Sequence, residues 1–156
     1  MPGEFYVEGK QEKVSLQGVE TSLADLNAKA DAIKTKTDNL AGETPGQGST
    51  TADWQAAESS VISIGNAGTR VKIHDLTLSI HNLVGTQVTI RLYKKVNGTE
   101  RKVYDQTFDA TADPPGLPVI NGTWAIHDIL RATLQSNNAA DNGQAVDYDC
   151  MLEVMS

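Results

Sequence analysis

The residue types that most often carry out catalysis or bind metals are few in this sequence and poorly spaced for either role. The motifs Cys-x-x-Cys and His-Glu-x-x-His are absent, and no two histidines have the helical spacing of four residues at which two imidazoles share a metal ion. His74, His81 and His127 each lie in a strand-like run with polar neighbours. A hydrogen-bonded or exposed histidine is therefore favoured over a ligand, and we predict no cofactor.

Acidic residues near the end of the chain form one arrangement that resembles a cation site. Asp147 and Asp149 flank Tyr148 on one face of a predicted strand, and Asp141 lies in the loop before it. Carboxylate oxygens are the ligands that calcium prefers, but the glycine-bearing acidic loop of known calcium motifs is absent. The polar positions of an alternating strand explain the two strand residues without a metal, so we predict no metal site.

Nucleophilic and hydrolytic catalysis have no stronger support. The sequence has no Gly-x-Ser-x-Gly turn of the kind that exposes a catalytic serine, and nothing in it fixes two carboxylates at the separation that glycoside hydrolysis needs. The single Cys150 lies in an alternating strand pattern, which favours a buried structural thiol over a nucleophile. We therefore predict that the protein is not an enzyme.

The chain is small and acidic, with 156 residues, a formal charge of -7 and a pI of about 4.8. A protein that binds nucleic acid neutralises phosphates with basic side chains, and this acidic charge disfavours such binding. We therefore expect no nucleic-acid partner. Five basic residues cluster in the sequence between acidic flanks, which favours a solvated hairpin face over a phosphate-binding site. They are Arg91, Lys94, Lys95, Arg101 and Lys102. Because no apolar run approaches the roughly 20 residues that span a bilayer, and the start lacks a signal-peptide pattern, we expect no membrane partner.

Apolar and near-apolar residues at alternating steps of three and four predict a coiled-coil-like helix over residues 15–41. Its seam consists of Leu16, Val19, Leu23, Leu26, Ala30, Ile33, Thr37 and Leu40. Ser22 and Asp25 have the spacing of a reciprocal cap, which predicts a helix start near Ser22, and Gly42 marks the end. The seam favours association of three or more chains, and the alternative is one helix lying on its own β domain or on another protein.

Two further segments flank this helix. Residues 1–14 are too short and too polar to fold alone, and their apolar cluster of Phe5, Tyr6 and Val7 is predicted to dock on another surface. Residues 42–53 are rich in Gly, Ser, Thr and Pro, which is typical of a linker. The sequence thus predicts an N-terminal anchoring arm, a helix, a linker and a domain over residues 54–156.

In that domain the apolar period becomes two, which predicts β-strands. The alternation of apolar and polar residues slips by one position at His74-Asp75, which predicts a β-bulge. Asn97-Gly98 predicts a type I′ hairpin turn. The alternation is cleanest in the last run, from Val146 to Val154. Some seven short strands separated by turns predict a mainly β fold, an antiparallel β-sandwich with jelly-roll-like connections, preceded by the helix.

Three stretches of sequence carry a resemblance to known proteins. They are FYVEGKQEKV near the start, KTKTDNL at the end of the helix, and TLQSNNAADNGQAVDYDCMLEVM at the close of the β domain. Together with the order of the segments, they resemble small virion proteins of tailed bacterial or archaeal viruses. The resemblance implies an arm that fixes the molecule to the particle, a helix bundle that trimerises it, and a β-sandwich that faces outward.

On this resemblance, Phe5, Tyr6 and Val7 are the expected capsid anchor, and the seam residues are the expected core of a homotrimer. The expected function is that of a trimeric structural protein, made in the host cytoplasm, that decorates or cements the capsid surface or forms a head fibre. Its expected partners are further copies of itself and the lattice of the major capsid protein or another virion protein.

The alternative function is a receptor- or glycan-binding head of a tail fibre or spike. In that case aromatic rings would stack on sugar faces, and the candidates are Trp54, Tyr93, Tyr104 and Trp124. Aromatic residues at sheet positions lie more often in a core than on a binding surface, which favours the first function.

Overall fold

The structure is a computed structural model that describes residues 4–7, 10–38 and 42–155, with side chains for residues 18–35 and 42–155. The chain divides into two compact units, Met1–Leu40 and Ala41–Ser156. The described part of the first unit contains two short strands and a helix, and that of the second contains eight strands. The protein is therefore mainly β, as the sequence predicts.

The first unit begins with a pair of short strands. β1 (Glu4–Val7) pairs antiparallel with β2 (Lys10–Ser15), and Phe5 lies opposite Val14 in the register. The sequence analysis expects residues 1–14 to dock on another surface and does not anticipate this strand pair. A two-stranded ladder satisfies backbone N–H and C=O groups locally, and it does so without an apolar core of its own.

α1 (Leu16–Asp38) follows β2 without a break. Its first residue is one after the start of the helix predicted over residues 15–41, and six before the start that the capping pattern at Ser22 predicts. Ser22 is not a cap, because its Oγ donates a 2.9 Å hydrogen bond to the carbonyl oxygen of Gly18, one turn earlier in the same helix. A single glycine costs a helix only about 1 kcal/mol, which explains why Gly18 does not delay the start.

The second unit is built from eight strands in two antiparallel sheets. In chain order the strands are β3 (Glu43–Thr51), β4 (Ser59–Ile64), β5 (Arg70–Ser79), β6 (Val88–Val96), β7 (Thr99–Phe108), β8 (Gly116–Ile126), β9 (Leu130–Ser136) and β10 (Ala145–Met155). Sheet 1 has the order β3-β10-β5-β8, and sheet 2 has the order β4-β9-β6-β7. A short 3-10 helix, Ala139–Asp141, lies between β9 and β10.

The strand pairs follow one long antiparallel ribbon. β6 pairs with β7 at its tip, and the pairs β5 with β8, β4 with β9 and β3 with β10 follow in order away from the tip. Two more pairings, β10 with β5 and β9 with β6, join the ribbon into sheets 1 and 2. Strands from the two halves of the unit therefore alternate in each sheet.

Two local predictions are confirmed. The turn at the tip of the ribbon has φ angles of 51° at Asn97 and 75° at Gly98, the positive values that a type I′ turn requires. The register of β5 against β8 shifts between Ile73 and Asp75, where the slip in alternation predicts a bulge. The bulge lets the apolar residues on both sides of it face the same core.

The buried faces of sheets 1 and 2 contribute to one apolar cluster. Its largest fully buried side chains are Trp54, Ile73, Leu76, Leu78, Ile80, Val88, Ile90, Leu92, Ile120, Leu130, Leu134 and Val146. Cys150 also lies in this cluster, its thiol 3.3 Å from the carbonyl oxygen of Gly46. Burial raises the pKa of the Cys150 thiol, helped by the negative charges of Asp149 and Asp75, which fits a structural role.

The segment predicted as a linker, residues 42–53, is mostly the strand β3, so that prediction is wrong. β3 pairs with β10, and two of its glycines lie opposite large side chains, Gly46 opposite Cys150 and Gly48 opposite Tyr148. A Cβ on Gly48 would collide with the Tyr148 ring, and one on Gly46 would lie 2.8 Å from the Cys150 sulfur. The glycines that suggest a loop therefore make room for the side chains of the neighbouring strand.

Candidate functional site

The helix α1 presents a stripe of exposed apolar side chains. Val19, Leu23, Leu26 and Ile33, here called the apolar stripe, are 52 to 66% exposed. Their steps of four, three and seven residues place them on one side of the helix. Ala30, on the same seam, is also exposed, whereas the side chains of Leu16, Thr37 and Leu40 lie outside the described residues.

The exposed stripe is energetically unfavourable for an isolated chain. Residues 18–35, the part of α1 with described side chains, are all exposed, so none of this stretch packs into a core. Moving one Leu or Ile side chain from water into a packed interface contributes about 1.5–3 kcal/mol. A helix of this length is also only marginally stable in water without tertiary packing. The stripe is therefore a surface that gains stability when another apolar surface covers it.

The predicted anchor residues lie on the first strand of the same unit. Phe5, Tyr6 and Val7 belong to β1, which places their backbone in the paired ladder with β2. Their side chains lie outside the described residues, so their role as an anchor stays a prediction.

The four candidate aromatics form no common stacking surface. Trp54 is fully buried, and its Nε1 donates a 2.7 Å hydrogen bond to the carbonyl oxygen of Gln144, which removes it from the candidates. The guanidinium of Arg131 covers the Tyr93 ring at 4.7 Å from its centroid. Tyr104 and Trp124 are partly buried against the core, on β7 of sheet 2 and β8 of sheet 1.

The basic cluster is largely neutralised by carboxylates on the outer face of sheet 2. Arg91 binds Glu58 at 2.9 Å and Asp105 at 3.4 Å, and Lys102 also pairs with Asp105. At the other end of the cluster, Lys95 lies 3.1 Å from Asp128. Because these charges are matched within the fold, the cluster is a poor phosphate site. The sequence analysis favours the same conclusion.

Glu58 is the centre of this charged face, and the sequence analysis does not single it out. Its carboxylate accepts a 2.6 Å hydrogen bond from the hydroxyl of Thr133, which is fully buried beneath it. Burial by itself acts to raise the pKa of Glu58, but the hydrogen bonds from Thr133 and Tyr93 and the charges of Arg91 and Arg131 outweigh it and lower that pKa. No spacing signal could have identified Glu58, because its partners lie at least 33 residues away in the chain.

The histidines on sheet 1 and its edge are held by polar neighbours. His74 lies 3.2 Å from Glu153 and 3.1 Å from the Thr123 hydroxyl. His81 lies 2.9 Å from the Ser79 hydroxyl and 3.7 Å from the Asp147 carboxylate. Each ring thus has partners within the fold.

Asp141, considered above as a calcium ligand, instead joins two loops. Its fully buried carboxyl group accepts hydrogen bonds from the backbone N–H of Val84 at 2.7 Å and of Gly85 at 3.1 Å, and from the Ser136 hydroxyl. Oxygens that accept hydrogen bonds from three protein donors have little capacity left for a cation. Within the described residues, no group of three or more His, Cys, Asp or Glu side chains could hold a metal ion.

No family model and no curated protein matches this sequence. Among the described residues there is also no helix with the length and apolar character needed to cross a lipid bilayer. The surfaces of the chain itself therefore indicate its function, and the apolar stripe on α1 is one that another apolar surface could cover.

Proposed function

We propose that the protein is a trimeric virion structural protein that decorates or cements a capsid surface and has no enzymatic activity. The observation that carries this proposal is the apolar stripe, with four large side chains more than half exposed on one side of α1. A second and a third copy of the same helix bring surfaces of the same spacing and character, so self-association covers the stripe in every chain.

The architecture of the second unit supports an outward-facing structural role. We propose that sheets 1 and 2 form a jelly-roll sandwich, with the antiparallel ribbon of eight strands wrapped so that β3 lies beside β10 and β4 beside β9. Jelly rolls serve as capsid and lectin domains, among other roles. This support is an analogy at the level of the fold, since one fold hosts many functions.

Attachment to the particle is assigned to the first unit. In the proposal, Phe5, Tyr6 and Val7 contact a virion protein such as the major capsid protein, and trimerisation presents three such arms at once. Linked contacts of this kind raise the apparent affinity by about 100-fold or more when the lattice spacing allows simultaneous binding. A weak contact per arm is then sufficient for stable attachment.

The test combines imaging with a variant of the arm. Antibody labelling and electron microscopy of purified virus particles should show copies at repeated surface positions, grouped in threes. The double variant Phe5→Ser with Tyr6→Ser should remain trimeric and lose attachment, whereas the control Thr107→Ser, in the second unit, should attach normally. Particles that carry no copies, or full attachment of the double variant, would refute the proposal.

A further inference from the structure

The second unit carries a shallow trough on its surface. The trough has a volume of about 400 Å³ and is formed by the segment after β3, the start of β6 and the end of β9. Thr89 and Gln135 lie side by side in its lining as register partners of β6 and β9. The lining residues are all polar and uncharged: Gln55, Gln87, Thr89, Gln135, Ser136 and Asn137.

The backbone around the trough is held in place by hydrogen bonds between these segments. The N–H of Asn137 donates to the carbonyl oxygen of Gln87 at 3.1 Å, and the N–H of Gln87 donates back to the side-chain oxygen of Asn137 at 3.2 Å. The N–H of Ser136 donates to the carbonyl oxygen of Trp54 at 2.9 Å. The backbone of the trough is therefore held in place before any ligand arrives, which limits the entropic cost of binding to the ordering of side chains.

The glutamine side chains are the part of the lining that remains available to a ligand. Among the described residues, the side-chain amides of Gln55, Gln87 and Gln135 have no hydrogen-bond partner in the protein, although the backbone N–H groups of the first two do. Each amide offers two N–H donors and one carbonyl acceptor. Three such amides around one concave surface match a ligand whose groups both donate and accept hydrogen bonds.

We propose that this trough binds a neutral carbohydrate of about one or two sugar rings. Sugar hydroxyls donate and accept, as the amides do, and the volume falls within the range of small-molecule sites. The lining has no charged side chain, and because the strongest hydrogen bonds to phosphate, carboxylate or cationic groups involve an oppositely charged side chain, a neutral ligand is favoured. The site uses none of the four candidate aromatics, and it is independent of the proposed trimer because one chain supplies every lining residue.

The test is a titration of the full-length, isotope-labelled chain, followed by the NMR signals of the glutamine side-chain NH₂ groups. The probes are glucose, galactose, N-acetylglucosamine and their neutral disaccharides. At least one of them should shift the signals of Gln55, Gln87 and Gln135 in a saturable way at millimolar concentration. If none does so up to about 20 mM, or if inorganic phosphate or a neutral peptide shifts them more strongly, the proposal is wrong.

Variants separate the trough from general surface effects. Gln87→Ala combined with Gln135→Ala removes two of the three amides, and binding of the active sugar should weaken about tenfold or more. Gln47→Ala, a matched change on sheet 1, should leave binding unchanged. Gln135→Glu keeps the side-chain length and should also weaken binding. This single variant tests the site even if the double variant misfolds. Binding as in the wild type by both trough variants would overturn the assignment.

Discussion

At the scale of single residues, charge on sheet 2 is organised around Glu58. Its carboxylate lies between Arg91 and the buried hydroxyl of Thr133, so one side chain satisfies a buried donor and neutralises a cation. Sequence analysis identifies the basic residues of this face, because their clustering along the chain is visible. It does not identify Glu58, because the contacts depend on how β6 and β9 pair.

The lowered pKa of Glu58 predicts a pH dependence of stability. A carboxyl group whose pKa is lower in the folded than in the unfolded protein stabilises the fold above its ordinary pKa, and this contribution is lost as the pH falls through the folded value. Glu58→Gln should therefore lower the free energy of unfolding at pH 7 by about 0.5–1 kcal/mol, a range that allows for solvent screening at this partly exposed site. The difference from the wild type should shrink as the pH falls below about 4.5.

Urea denaturation of both proteins at pH 7, 5, 4 and 3 measures this effect. Asp53→Asn is the matched control, since Asp53 is an exposed carboxylate in the same unit. It should change stability little at any of these values. A Glu58→Gln difference that grows on acidification would show that the assigned direction of the pKa shift is wrong.

The position of the Asp141 carboxyl group predicts that Gly85 cannot be replaced by a larger residue without loss of stability. A Cβ on Gly85 would lie 2.8 Å from the Asp141 carboxylate and closer still to the Ser136 hydroxyl, both of which are buried and hydrogen-bonded. Gly85→Ala should therefore destabilise the second unit by about 2 kcal/mol or more, measured by thermal unfolding. Gly116→Ala adds the same methyl group where nothing lies within 4 Å, and it should have little effect. Equal stability of the two variants would argue against the role of Asp141 in joining the loops.

At the scale of elements, sequence patterns predict well where one physical signal dominates. The period of two identifies β5, β6, β9 and β10, because one face of each of these strands is buried in the core. It fails for β3, where Gly46 and Gly48 replace apolar residues to admit the side chains of β10. The seam predicts α1 to within a residue at its start, whereas the capping signal at Ser22 fails because that side chain lies inside the helix and bonds back to the Gly18 carbonyl oxygen.

The apolar stripe predicts that association and helix stability are coupled. Leu26→Asp places a charge in the centre of the stripe, so chains should dissociate and the helical signal in circular dichroism should fall, while the second unit stays folded. Ala28→Asp introduces the same residue two positions away, off the seam of α1, and should leave both properties close to wild type. The Leu26→Asp prediction fails if that variant associates as the wild type does.

At the scale of the whole molecule, the end strands of both sheets in the second unit are protected against pairing with the sheet of another chain. The end strands carry features that hinder pairing with another sheet: Pro45 in β3, Pro118 in β8, and Lys102 among the charges of β7. The fourth end strand, β4, is only six residues long. The apolar stripe has no comparable protection among the described residues, which is why the proposal assigns self-association to it.

The central claim, that three chains associate through α1, is tested most directly by the mass of the purified full-length protein. Multi-angle light scattering during size-exclusion chromatography, at micromolar concentration and neutral pH, should give about 50 kDa, three times the chain mass of 16.7 kDa. A stable monomer of 16.7 kDa under the same conditions would contradict the account.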